Sequence, residues 1–351
     1  MTASIMVAEP AIVRTVAESR RRRDRRRLRV GLVLGIAVVV AFALSLMLGR
    51  TFYSATDVWH VILGQDVDGA SFTVGVLRLP RACAAVLVGL SFGVAGATFQ
   101  TMLRNPLASP DIIGISSGAS VAGVIGIVVL GLSASTVSVL ATVAALVTAL
   151  AIYLLSYKNG VAGTRLILIG IGISAMLSSV VSYVLSRAAE WDLQVATRWL
   201  TGNLHNMSWE RVIPLAIAVA VLVPVLLLTS RNLEMLRLGD QAAAALGVPV
   251  ERTRIVLILA AVTLMAFATA AAGPIAFVAF LSGPIAARIL GPVGSPVLTS
   301  GLVGALLVLV ADFLGQYAFG TTFPVGVVTG ALGAPFLVYL LVRVNRAGGS
   351  L

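Results

Sequence analysis

Charge is scarce in this sequence. Of 351 residues 11% are charged, 59% are hydrophobic, and the mean hydropathy is +1.03. A soluble protein needs far more polarity on its surface, so the soluble globular class is excluded and a membrane class is indicated. Helical spans of about 20 apolar residues are the natural element, because each satisfies its own backbone hydrogen bonds. A barrel would show short alternating stretches instead. Cysteine is limited to Cys83, which excludes an intrachain disulfide and a multi-cysteine metal centre. Its apolar neighbours make it a packed small residue. His60 and His205 lie far apart in polar connections and read as solvated side chains rather than a metal pair. Lysine is limited to Lys158, which follows Tyr157. A phosphate loop of the G-x-x-x-x-G-K-[ST] type is therefore excluded. If ATP drives this protein, another chain binds it. No catalytic group, metal or cofactor is expected.

What charge there is has one sign and one place. Net charge is +11, and nine arginines (Arg14, Arg20 to Arg23, Arg25 to Arg27 and Arg29) precede the first apolar run. A basic run can bind nucleic acid, but directly before a span it marks the cytoplasmic side and contacts anionic lipid. Membrane lipid is the expected partner here, and nucleic acid is not. Residues 1–29 lack an apolar period and read as a mobile cytoplasmic tail; 30–345 form the transmembrane domain and 346–351 a short cytoplasmic C-terminal tail.

Ten spans are expected, near 30–49, 82–103, 113–132, 135–156, 166–186, 212–229, 255–272, a short one within 273–288, 296–316 and 325–342. The fold class is thus an all-α polytopic membrane protein. Within the polar connection 51–77, residues 54–63 suggest a short interfacial helix carrying Trp59. With both termini inside, the cytoplasmic side receives 19 lysines and arginines against 6 outside, or 10 against 6 without the tail. The positive-inside rule supports that orientation mainly through the tail.

The stretch 78–120 organises the chain. Arg78 and Arg81 flank Pro80 at the head of the second span, and Arg104-Asn105-Pro106 ends it. Pro106 and Pro110 bias their neighbours away from helix, and Ser109 or Asp111 is placed to cap the next one. Arg78-Leu79-Pro80-Arg81, Gly96, Gln100, Arg104-Asn105-Pro106-Leu107-Ala108, Pro110, Gly114 and Gly118-Ala119 together resemble the FecCD/BtuC-type permeases. These are membrane subunits of bacterial importers for ferric siderophores, haem and vitamin B12. The resemblance continues through Leu238-Gly239-Asp240, Leu246-Gly247, Gly273-Pro274, Pro284, Arg288, Phe323-Pro324-Val325-Gly326 and Gly333-Ala334-Pro335. It covers about residues 30–345.

Beside the resemblance stand readings of the residues themselves. Asp240 suits an N-cap and Gly247 a C′ position, with helix-forming alanines between. That predicts a short helix in the 230–254 loop. The resemblance implies that it is the coupling helix seated on an ATPase, through Gly239, Asp240, Ala243, Ala244, Leu246 and Gly247. Gly170, Ser174, Ser178 and Ser182 recur every four residues, so they share one face of span five. Such a face lines a polar path or packs small-to-small against a neighbour; the resemblance favours the path. Asp312 is the main acid inside a span and reads as a local structural acid; the resemblance, which carries an acid in the matching Ala311-Asp312 context, implies that it is not a proton relay.

The resemblance further implies that Arg78 and Arg81 receive acids of a substrate-binding protein. Gln316 stands near the place of a third docking arginine. Ile285 stands where relatives usually carry histidine or glutamine, and the acid often found before the Phe323-Pro324 pair is absent. Gln100, Asn105, Pro106, Pro110, Gly114, Gly273, Pro274, Pro324 and Gly326 are expected to be structural. The implied function is the permease subunit of an ATP-driven importer in the bacterial cytoplasmic membrane, moving a ferric siderophore, with cobalamin or haem as alternatives. Implied partners are a second permease subunit, two ATP-binding subunits and an extracytoplasmic binding protein. An ion-coupled carrier working alone is the competing class, and the nearly uncharged spans argue against it.

Overall fold

A computed structural model describes residues 10–109, 114–157, 163–291 and 295–346. Among them there are helices and turns and no β-strand. In chain order the helices are α1 (Pro10–Met47), α2 (Ala55–Ile62), α3 (Leu79–Met102), α4 (Ile115–Val124), α5 (Ala134–Ser156), α6 (Gly163–Ser186) and α7 (Glu190–Leu200). They continue with α8 (Trp209–Leu228), α9 (Ser230–Leu236), α10 (Asp240–Ala245), α11 (Val250–Ala272), α12 (Val278–Leu290), α13 (Val297–Tyr317) and α14 (Val325–Arg346). A π-helical segment, Ser71–Arg78, leads into α3, and another, Ile125–Val129, extends α4.

Among the described residues seven helices are long and apolar enough to cross a bilayer. Three shorter apolar helices, Ile115–Val129, Val278–Leu290 and Val325–Leu340, stand where the third, eighth and tenth spans are expected. Their brevity follows from their breakers. Gly114 and Gly273 hold φ of 92° and 74° at the ends flanking two of these segments, and prolines sit inside α12 and α14.

Helix α3 is the axis. Of its most apolar window 78% is buried, against 11% for α1 and 6% for α6. The reason is in its glycines. Gly89 lies against the Gly304 carbonyl, Gly93 against that of Ser300, and Gly96 against that of Ala279. Without a Cβ the backbones of α3, α13 and α12 touch directly, as small residues permit inside membranes. The α5, α6 and α8 faces are left uncovered, with Val139, Leu154, Met176, Tyr183 and Ile217 exposed.

Two expectations need correction. Residues 10–29 are not irregular chain, because α1 runs without a break from Pro10 through the boundary at residue 29; residues 1–9 lie outside the described residues. Arginine is a good helix former, and a helix already nucleated by the span extends at little cost. Arg26 and Arg27 donate to the carbonyls of Ile289 and Ser295, and Arg27 lies 3.9 Å from Glu234. The segment is thereby fastened to the α12–α13 junction and to α9. Second, Ser109 does not hold the N-cap position of α4. That position is held by Gly114, in the left-handed region and with no side-chain cap; Pro110 and Asp111 lie outside the described residues. The short helix near Trp59 is as expected. Ser54 and Asp57 close a capping box on α2, and Trp59 is 60% exposed.

Candidate functional site

The chemistry-bearing residues collect at the two ends of the bundle. The lower end carries the turn after α3 and the α9–α10 segment. The upper end carries the start of α3, the turn after α7 and the end of α13.

At the lower end the chain reverses at Gly239, whose φ of 105° and ψ of 154° exclude most side chains. That places Asp240 inside the helix, at its first position, and not at the N-cap as the sequence suggests. Its carboxylate is then free to pair outward. It accepts two bonds of 3.1 Å from Arg254 and lies 4.0 Å from Arg104. Arg104 and Arg254, 150 residues apart in sequence, thus meet at one acid. Arg104 itself adopts φ 54°, and the Asn105 side chain accepts from the Leu107 amide to close the turn. Gly247, at φ 84°, ends α10 as expected.

The helix offers only part of what the sequence offered. Ala243 is fully buried within the chain itself, so it cannot meet a partner. Ala244 and Gly247 are exposed, and Leu238 and Leu246 are each 62% exposed. These four form a small apolar ledge beside the Asp240 ion pairs.

At the upper end Arg78 and Arg81 are three residues apart but do different things. Arg78 donates to the carbonyls of Leu46, Met47 and Thr51 at 2.8, 3.2 and 2.7 Å, and its guanidinium lies 5.1 Å from the Tyr53 ring centre. It satisfies the carbonyls that end α1. Arg81 forms a forked pair with Asp312, at 2.9 Å from Nε and 2.8 Å from Nη2. Gln316 donates to the same carboxylate at 2.8 Å. The paired side chains are 16% and 9% exposed, so this is a nearly dry weld between α3 and α13. Asp312 is the local structural acid that the sequence suggests. Around them lies a cleft of about 440 Å³ that also takes in Arg50, His205 and Asn206. Burial first, then Arg81 and Arg198, hold the His205 imidazole below its ordinary value, so it is neutral at pH 7.

Of the glycines and prolines expected to be structural, Gly273, Pro274 and Gly326 are brought together around one turn. Gly202, in the turn after α7, lies against the Pro274 carbonyl, and its own carbonyl accepts from the Gly326 amide at 3.1 Å. Asn203 donates to Ala272 at 2.7 Å, just before Gly273. Gly326, following Pro324 and Val325, lies against the Thr201 carbonyl. The 201–203 turn was missed as a contact hub; the Gly202-Asn203 pair after a helix was its one signal. Lower down, Gln100 donates to the Phe280 carbonyl at 3.0 Å and its amide oxygen lies on Gly283.

The small-residue face of α6 divides. Gly170 is buried, and Ser174 packs against Gly114 with its hydroxyl buried and unpaired. Ser178 and Ser182 are exposed. Ser174→Leu is therefore expected to overpack the α4 contact and destabilise the chain by about 1–3 kcal/mol. A melting curve of the purified variant checks this, and an unchanged midpoint would refute the packing assignment.

Comparison with known proteins gives one consistent result. A family model described as the FecCD transport family matches residues 37–343. The ferric enterobactin transport system permease protein FepG of Escherichia coli (strain K12) is 38% identical over 308 residues, covering 88% of this chain and 93% of that protein. The iron(3+)-hydroxamate import system permease protein FhuG of Bacillus subtilis (strain 168) is 35% identical, covering 87% and 94%. A solved structure described as an inward-facing conformation of a putative metal-chelate type ABC transporter superposes with a TM-score of 0.78 at 26% identity, covering 90% and 99%.

Proposed function

The chain belongs to the FecCD transport family, and from that premise we propose that it is the permease subunit of an ATP-driven importer carrying a ferric siderophore across the cytoplasmic membrane. The observation that carries the coupled-permease reading is the lower-end ledge. It is a short helix packed on the surface of the bundle, held by Asp240 to Arg104 and Arg254, with Ala244, Leu246 and Gly247 turned outward. A chain with no phosphate loop needs such a surface to receive work from an ATP-hydrolysing subunit. The iron–chelate substrates named for the relatives support the cargo.

The lower end is cytoplasmic in this reading, since the arginines of α1 contact it there. A cysteine at Leu246 in a Cys83→Ser background is expected to resist a membrane-impermeant thiol reagent in intact cells and to react in lysed ones. Labelling of intact cells would invert the topology.

The uncovered α6 face, with Ser178 and Ser182, meets a second permease subunit across the path, and the upper cleft receives the extracytoplasmic binding protein. Arg78 and Arg81 shape that cleft while holding the fold. Arg50 is exposed beside them and strengthens the docking field.

The ledge makes a sharp prediction. Ala244→Arg is expected to cut uptake by about tenfold or more through an overfilled contact, while the chain still inserts and keeps its melting point. Ala243→Arg is expected to fail earlier, at folding, because that side chain faces inward. Equal behaviour of the two would remove the ledge assignment. The function as a whole is tested by uptake of iron-55 loaded onto a panel of siderophores in a deletion strain complemented with this chain. No restored uptake of any siderophore would sink the proposed cargo.

A further inference from the structure

A second feature sits beside the ledge. Between the ends of α3, α12 and α13 opens a cleft of about 480 Å³. Gln100, Arg104, Asn105, Arg237, Gly283 and Pro284 line much of it. No acid lines it. Arg237 is exposed, and no ion pair or side-chain hydrogen bond joins it to another described residue. Arg104 is half exposed and reaches Asp240 only at 4.0 Å, the limit of an ion pair. Its backbone is held at φ 54°, where a non-glycine residue rarely stays unless its surroundings require it. A third guanidinium, that of Arg26, borders Gly291 on the cleft rim.

We infer that this cleft is a receptor for an acidic side chain of the ATP-hydrolysing subunit, with Arg237 and Arg104 as its two cations. The inference rests on the coupled-permease reading above and adds a polar contact to the apolar one. Three observations favour that occupant. The cleft adjoins the ledge through the Arg104–Asp240 pair, so a partner covering the ledge also covers the mouth. The unpaired Arg237 follows α9 directly and precedes Gly239, where α10 begins. The lining combines forked donors with the side-chain amide nitrogen of Asn105, whose oxygen already accepts from the Leu107 amide, and such a donor set suits a carboxylate. Arg237 also stands at the C-terminal end of α9, where a cation is favourable for the helix alone. That role predicts lost stability, not lost affinity, and so separates from this one.

The experiment uses the full-length permease in nanodiscs, with the ATPase subunit purified from the same transporter as the probe. Wild-type binding is measured against salt. Arg237→Glu is expected to weaken ATPase binding by about tenfold or more and to flatten its salt dependence, with an unchanged melting point. Arg231→Glu, an exposed cation on α9 away from the cleft, is expected to bind nearly as wild type. Equal binding by Arg237→Glu and wild type overturns the inference. So does an equal loss in Arg231→Glu, which would report general charge only. Retention of anionic phospholipid by wild type but not Arg237→Glu, with unchanged ATPase affinity, assigns the cleft to lipid and also overturns it. If the wild-type chain binds no ATPase at all, the function reading fails first, and that outcome is distinct.

Discussion

Arg81→Ala is expected to lose most of the folded protein. The substitution leaves Asp312, 7% exposed, as a charge without its partner. Breaking a buried pair from one side costs about 3–5 kcal/mol, a large share of the roughly 5–15 kcal/mol that holds a typical domain. Gln316 alone cannot replace the forked donors, because its amide satisfies one carboxylate oxygen. The measurement is the fraction surviving a heat step in detergent, read by size exclusion. Replacing both partners, as Arg81→Leu with Asp312→Leu, is expected to recover much of the stability, since an apolar pair leaves no orphaned charge. A residue that served only to meet a binding protein would behave oppositely: full stability, lost uptake. A stable Arg81→Ala would therefore return this arginine to a docking role alone.

Gly89→Leu is expected to be as damaging for a different reason. The Gly89 Cα faces the Gly304 carbonyl and the Ala305 backbone, so any side chain meets main chain that cannot rotate away. Overpacking typically costs about 1–3 kcal/mol when side chains can yield; here two spans must separate along their contact, so the loss exceeds that range. The expected outcome is no monodisperse protein after extraction. Gly31→Ala is the control, because open space surrounds that position. It should be neutral or gain about 0.5–1 kcal/mol from reduced backbone entropy. Equal recovery of Gly89→Leu and Gly31→Ala would mean that α3 and α13 are not in backbone contact.

Much of the fold was legible because hydrophobic length is nearly sufficient in a bilayer. The long spans α5, α8, α11 and α13 stand within a few residues of where their apolar runs place them. The π-helical lead-in at 71–78 was not legible, since it reads as a polar connection, although it continues straight into α3. The site was legible in identity more than in role. Asp240, Arg78 and Arg81 stand at the ends of the bundle as expected, yet sequence does not say which way a side chain turns. Whether Arg78 faces outward or caps α1 depends on the path of residues 46–51, which no local pattern encodes. Ala243 and Ala244 are chemically identical neighbours, and only the packing of α10 on α9 and α11 separates the buried one from the exposed one. The small-residue face of α6 shows the same limit, for its period identifies a face but not where along its length a neighbour ends.

The fastening of Arg26 and Arg27 to the α12–α13 junction and to Glu234 has a practical side. A reporter or affinity handle fused directly to Pro10 sits on the end of a continuous helix, and the position of that helix is set in part by the far half of the molecule. Fluorescence from such a fusion would register shifts of α12 and α9 directly. Trimming the chain to residue 30 for crystallisation, a natural choice on composition grounds, would remove a brace between the first helix and the last third of the protein.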